Sequence, residues 1–173
     1  MKRITVITLC VLFMAQGCIV IVPGGGPVQT ETWEQLSPGM STRDEVISAL
    51  GEPQAVEMSE EGEIFEYPTQ NEAMSNYVIV KDGVVQYTSM IVPVDERECL
   101  AETIQKYGEP EKITYSHFMH GAKTYVYATQ GVTLIVNEGA GVVYEKQHYP
   151  PMSLDEYMRT WGKSLPLENP YIR

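Results

Sequence analysis

A nine-residue segment is echoed later in this chain with Glu, Ile, Gly, Glu and Pro identical, and this limits the available folds more than any other feature. Glu45-Val46-Ile47-Ser48-Ala49-Leu50-Gly51-Glu52-Pro53 is echoed by Glu102-Thr103-Ile104-Gln105-Lys106-Tyr107-Gly108-Glu109-Pro110, offset by 57 residues. Farther on, Ile79-Val80-Lys81-Asp82-Gly83 is echoed by Ile135-Val136-Asn137-Glu138-Gly139, offset by 56. Two landmarks in one order point to a duplicated unit. Each unit opens with a short helix. Val46, Ile47 and Leu50 give the first an apolar face, and Leu100, Ile104 and Tyr107 give one to the second. Ser41 or Thr42 can cap the first helix, with Asp44 or Glu45 three residues on. Gly51 and Gly108 sit where a helix ends in a positive-φ residue, and Pro53 and Pro110 oppose its resumption.

Strands follow each helix. In the second unit they are predicted over 112–118, 124–129, 132–137 and 142–149, rich in Tyr, Val, Ile and Thr and separated by glycine turns. In the first unit they fall at 55–58, 64–67, 77–80 and 84–92. Alternation such as Thr124-Tyr125-Val126-Tyr127 implies one buried and one wet sheet face. Ser153 to Trp161 reads as a C-terminal helix with a Ser153/Glu156 capping box and an apolar face of Leu154, Tyr157, Met158 and Trp161. The fold expected is α+β: a duplicated helix–antiparallel-strand unit with helices packed on one face of a β-sheet, plus a C-terminal helix.

The start of the chain reads as an address. Lys2 and Arg3 precede an apolar run of secretory length, and Ala15-Gln16-Gly17-Cys18 places small residues at the −3 and −1 positions before a cysteine. This resembles the lipobox of bacterial lipoproteins, whose cysteine is acylated after cleavage before it. The competing readings are ordinary secretory cleavage after Gly17, an uncleaved anchor over Ile4 to Val22, and a buried N-terminal strand. That run spans 19 residues, close to the ~20 a membrane helix needs, with Gln16 and Gly17 interrupting it. Pro23 to Gln29 (PGGGPVQ) reads as a flexible tether. The expected organisation is a signal peptide over 1–17, a lipidated tether over 18–32, units over 33–94 and 95–149, and a helix and tail over 150–173.

Charge narrows the partners. The 173 residues carry a formal net charge of −11, and removing 1–17 takes away two cations and no acid, giving −13. Such a body does not suit nucleic acid, whose phosphates require Lys and Arg. An anionic membrane surface repels it, so the lipid at Cys18 would be its hold on the membrane. Basic or neutral envelope proteins are the expected partners.

Little chemistry is expected. His117 and His120 lie at a strand end and turn, where residues three apart on a strand face opposite sides, and no zinc spacing surrounds them. Neither a metal nor a cofactor is expected. Glu57, Glu60, Glu61, Glu63 and Glu66 crowd one hairpin. They read as a solvated acidic edge strand, with a docking strip for a basic partner as the alternative. Cys99 reads as a small buried hydrophobe. Tyr115, Tyr125, Tyr127 and Tyr144 fall on second-unit strands and mark a candidate partner-binding surface on the face opposite the helices.

The stretch Leu36 to Pro53 contains a Leu, a Gly39-Met40-Ser41 helix start, a Glu45-Val46 pair and a Leu50-Gly51-Glu52-Pro53 stop. It resembles the opening of the BamE-like (SmpA/OmlA) outer-membrane lipoprotein family, which also begins with a lipobox and a short tether. The two units resemble the tandem layout of β-lactamase inhibitor proteins. Ile19, not Asp, follows Cys18, which in a Gram-negative cell implies the outer membrane with the body facing the periplasm. The resemblance implies a non-catalytic binding or scaffold module, with barrel-assembly components among the candidate partners. The alternatives are an inhibitor of a periplasmic enzyme and, behind it, an acid/base enzyme.

Overall fold

The structure, a computed structural model, describes residues 30–70, 73–116 and 120–170. The signal peptide, Cys18 and His117 lie outside the described residues. Among the described residues no helix is long and apolar enough to cross a membrane.

Two short helices come first, α1 (Thr30–Glu34) and α2 (Arg43–Leu50). Four strands follow: β1 (Ala55–Met58), β2 (Glu63–Pro68), β3 (Ser75–Lys81) and β4 (Val84–Ile91). Then come α3 (Leu100–Tyr107), β5 (Lys112–Tyr115), β6 (Lys123–Tyr127), β7 (Val132–Asn137), β8 (Val142–His148) and α4 (Leu154–Arg159). The α2 cap is the expected box. The Glu45 N–H donates to Thr42 Oγ1 at 3.3 Å, and the Thr42 N–H donates to Glu45 Oε2 at 2.7 Å. Gly51 and Gly108 both end their helices at φ 82°.

All eight strands form one antiparallel sheet in the order β1-β2-β3-β4-β8-β7-β6-β5. This corrects the expected architecture. The described residues form a single eight-stranded sheet carrying four short α-helices of 5, 8, 8 and 6 residues, not helix-on-sheet units. Nor do the helices share one face. The cause is the seam between β4 and β8, where Thr88, Ser89, Met90 and Ile91 pair with His148, Gln147, Lys146 and Glu145. Thr88 to Met90 are all buried, and a strand buried on both faces cannot remain an edge. The other neighbours are consecutive in sequence and pair antiparallel, so the sheet is continuous.

The first face is roofed by α1, α2 and α3. Trp33 meets Tyr67 edge-on at 5.8 Å, and Tyr107 packs on Tyr127 at 5.4 Å. Val46, Phe65, Val78, Val85, Leu134 and Val136 complete this core. The second face is covered in part by α4 and the segment after it. There Tyr87 touches Trp161 at 4.7 Å and Tyr149 touches Tyr157 at 5.0 Å.

One charge sits inside the first core. Lys146 is 1 % exposed and lies in register between Met90 and Leu134. Its Nζ donates to Glu34 Oε1 at 2.7 Å and Glu98 Oε1 at 2.6 Å. Burial alone would push the Lys146 ammonium down, but the bonds to Glu34 and Glu98 outweigh it and raise its pKa. The bond from Lys146 in turn holds the Glu34 carboxyl below its usual 4.5. That contribution is full above 4.5 and fades as pH falls through the lowered value. In urea unfolding, Glu34→Gln with Glu98→Gln should lose ~3–5 kcal/mol, because a buried cation is left uncompensated. Lys146→Met should lose far less, since it buries no charge.

Candidate functional site

The sequence-derived tyrosines do not form one surface. By register Tyr115, Tyr125 and Tyr127 share the helix-covered face, and Tyr125 and Tyr127 are buried in its core. The Tyr125 hydroxyl donates to Glu138 Oε1 at 2.6 Å. Tyr144 is half-buried beneath Arg97, whose guanidinium lies 4.3 Å from the ring centre. Tyr115 is half-buried on edge strand β5, where its N–H donates to the Pro166 carbonyl at 3.1 Å. These rings fill space under α3 and its flanks, because the alternation that marks them as one face marks the core side.

Other calls move too. Cys99 is exposed at the N-cap of α3 rather than buried, because it precedes the helix and its apolar stripe begins with Leu100. His120 lies exposed in a turn. His148 sits at the end of β8, and burial pushes its pKa down to about 4, so it is neutral at pH 7. The acidic hairpin is partly neutralised. Glu61 pairs with Lys163 at 3.0 Å and Glu63 with Arg43 at 3.4 Å. Among the described residues no three His, Cys, Asp or Glu side chains gather to hold a metal ion.

The second face holds what the sequence reading passed over. A cavity of about 490 Å³ opens there beside the segment after α4, over β3, β4, β8, β7 and β6. Its floor follows from the register. Ile91, Glu145, Ile135 and Thr124 lie directly opposite one another across β4, β8, β7 and β6. Ser89 and Gln147 form the next row, and Tyr77 pairs with Ser89. Met74 and Leu165 supply apolar walls.

Glu145 is the charged group of this floor. Ser89 Oγ donates to its Oε1 at 2.7 Å, and Gln147 Nε2 donates to the same oxygen at 2.6 Å. Oε2 takes no hydrogen bond from the described residues, and no cation among them pairs with this carboxylate. Its chain neighbour Lys146 cannot help. Successive side chains on a strand leave opposite faces, and Lys146 is engaged by Glu34 and Glu98 across the sheet. Burial therefore pushes the Glu145 carboxyl up, against the lowering effect of Gln147 and Ser89. Tyr77 is raised by burial and then by the Glu145 charge. Thr124 is fully buried, and its hydroxyl has no partner among the described residues.

A second groove of about 540 Å³ lies on the same face, between the β3–β4 pair and the end of α4. It shares Tyr77, but its acid Glu61 already has its cation in Lys163.

No protein-family model matches the chain, and no curated protein matches it. The chain is similar to a solved structure of a DUF4309 family protein (YjgB) from Bacillus subtilis subsp. subtilis str. 168. The TM-score is 0.47 with 17% identity, over 66% of this chain and 81% of that one.

Because the Glu145 pKa is raised on folding, its ionisation costs stability as pH climbs from the unfolded value through the folded one. The tyrosines coupled to this carboxylate (Tyr77, Tyr87 and Tyr157) stay neutral throughout that range. Glu145→Gln should therefore raise Tm at pH 7 and leave it nearly unchanged at pH 4, read by calorimetry at both.

Proposed function

We propose that this chain is a non-catalytic binding module of the bacterial envelope, held to the outer membrane through acylated Cys18 with its body in the periplasm. Its partner is another envelope protein, contributing an extended basic segment that pairs with the bare edge of β1. The lipobox-like Ala15-Gln16-Gly17-Cys18 supports the anchoring, and the resemblance of Leu36 to Pro53 to the BamE-like family supports the envelope setting. Barrel-assembly components stand first among the partners to look for.

The observation that carries the reading is the asymmetry of the two sheet edges. At β5 the C-terminal segment hydrogen-bonds the edge through Pro166. At β1 all four residues are exposed, and Val56 and Met58 are 49 % and 77 % exposed. An open strand edge offers unpaired N–H and C=O groups to an incoming strand, and exposed side chains along it give specificity. Glu57 lies on β1, and Glu60 is exposed in the turn that follows. They favour a basic partner, in keeping with the net charge of −11.

Affinity purification from lightly cross-linked envelopes, with the protein tagged at its C-terminus, tests this. One envelope protein should be recovered stoichiometrically. Its yield should fall at least about tenfold in the Val56→Lys, Met58→Lys double variant, whose lysines blunt the edge. Tm should barely move, because exposed substitutions usually change stability by less than about 0.5 kcal/mol. Cys18→Ser should lose the partner as well. Equal recovery from the lysine variant would remove the β1 reading.

A further inference from the structure

We infer that the cavity over Glu145 is a binding site for a small organic amine, whose protonated nitrogen sits on Glu145 and whose apolar body lies against Ile91 and Ile135. A hydrogen-bonding group at the far end of that ligand meets Thr124. This goes beyond the β1 reading and is independent of it, because β1 contributes nothing to the cavity.

Three observations carry it. The first is the uncompensated carboxylate. Glu145 lines the cavity, and its two donors crowd onto Oε1, which leaves Oε2 without a donor among the described residues. A partly buried carboxylate with no cation is costly, and a ligand ammonium would supply both the missing charge and the missing donors. The second is Thr124, which lines the cavity and is 0 % exposed, and whose hydroxyl has no hydrogen-bond partner among the described residues. Such groups are rare in folded proteins, and a ligand hydroxyl would satisfy this one as donor or acceptor. The third is the wall between them. Glu145 and Thr124 flank Ile135 in one row, two strand spacings or ~10 Å apart. Ile91, Met74 and Leu165 make the remaining surface apolar. A volume of about 490 Å³ lies within the usual range for small-molecule sites.

The same features select against other occupants. A hard metal ion needs about six oxygen ligands, and no acidic or imidazole cluster is present among the described residues. An anion would meet the Glu145 charge. A purely apolar ligand would bury the carboxylate further and leave Thr124 orphaned.

Tyramine and its neutral counterpart tyrosol (2-(4-hydroxyphenyl)ethanol) differ only in the ammonium group, so they isolate its contribution. Binding of each to the mature protein is measured at pH 7 by titration followed with NMR. Tyramine should bind saturably, at least about tenfold more tightly than tyrosol, the factor expected of a charge-assisted bond. Shifts should concentrate at Tyr77, Ile91, Thr124 and Ile135. Glu145→Gln should erase the tyramine preference. Thr124→Val should weaken both probes about equally, by ~2–10-fold. Equal binding of the two probes to the unmodified protein, or no saturable tyramine binding, would overturn the inference without any variant having to fold. An undiminished preference in Glu145→Gln would overturn it too.

Discussion

Two opposite charges stand side by side in the sequence, Glu145 and Lys146, on a strand at the centre of the sheet. Because consecutive side chains leave opposite faces, the sheet itself prevents them from neutralising each other. Each face must therefore deal with one charge separately. On the helix side Lys146 draws in Glu34 from α1 and Glu98 from the segment before α3, which ties two distant stretches of chain over the seam. On the other side no cation among the described residues pairs with Glu145, which is left in an open cavity. The two faces thereby acquire different characters, one sealed and one receptive.

The rest of the fold is consistent with that division. The helix-side core is filled by aromatic and branched side chains, down to Tyr127 under Tyr107. The second face is only partly covered, because α4 spends its apolar stripe on Tyr87 and Tyr149. The chain after α4 then runs back to β5 and protects that edge. Among the described residues, the Glu145 cavity, the groove between the β3–β4 pair and the end of α4, and the outer edge of β1 stay open. At the Glu145 cavity and the β1 edge, polar groups lack partners among the described residues, and these are the two places where binding is proposed.

Local structure was legible in the residues, and long-range pairing was not. Ala55–Met58 and Val132–Asn137 coincide with the predicted strands, and the Thr42/Glu45 box caps α2 as its spacing implies. These depend on alternation, turn glycines and capping, all of which act over a few residues. The β4–β8 seam joins residues 54 or more apart, and nothing local announces it. Without the seam β8 looks like a terminal strand, where Glu145 and Lys146 would be ordinary solvated charges. With it Lys146 becomes buried and Glu145 partly so, and the cavity appears. The same gap misplaced the tyrosines. Alternation showed that Tyr125 and Tyr127 share a face, yet could not tell that this was the face the helices cover. Cys99 failed for a different reason, since one residue of uncertainty at a helix start turns a side chain from core to solvent.

The claim on which this account rests is that the sheet leaves Glu145 uncompensated while pairing Lys146. The most direct measurement is a carboxyl-carbon NMR titration that follows Glu145 and Glu34 in the same sample. Glu145 should titrate above the ordinary glutamate value of 4.5 and Glu34 below it, displaced in opposite directions by the two faces. A Glu145 midpoint at or below 4.5 would mean that a donor or cation reaches it after all, and would contradict the account.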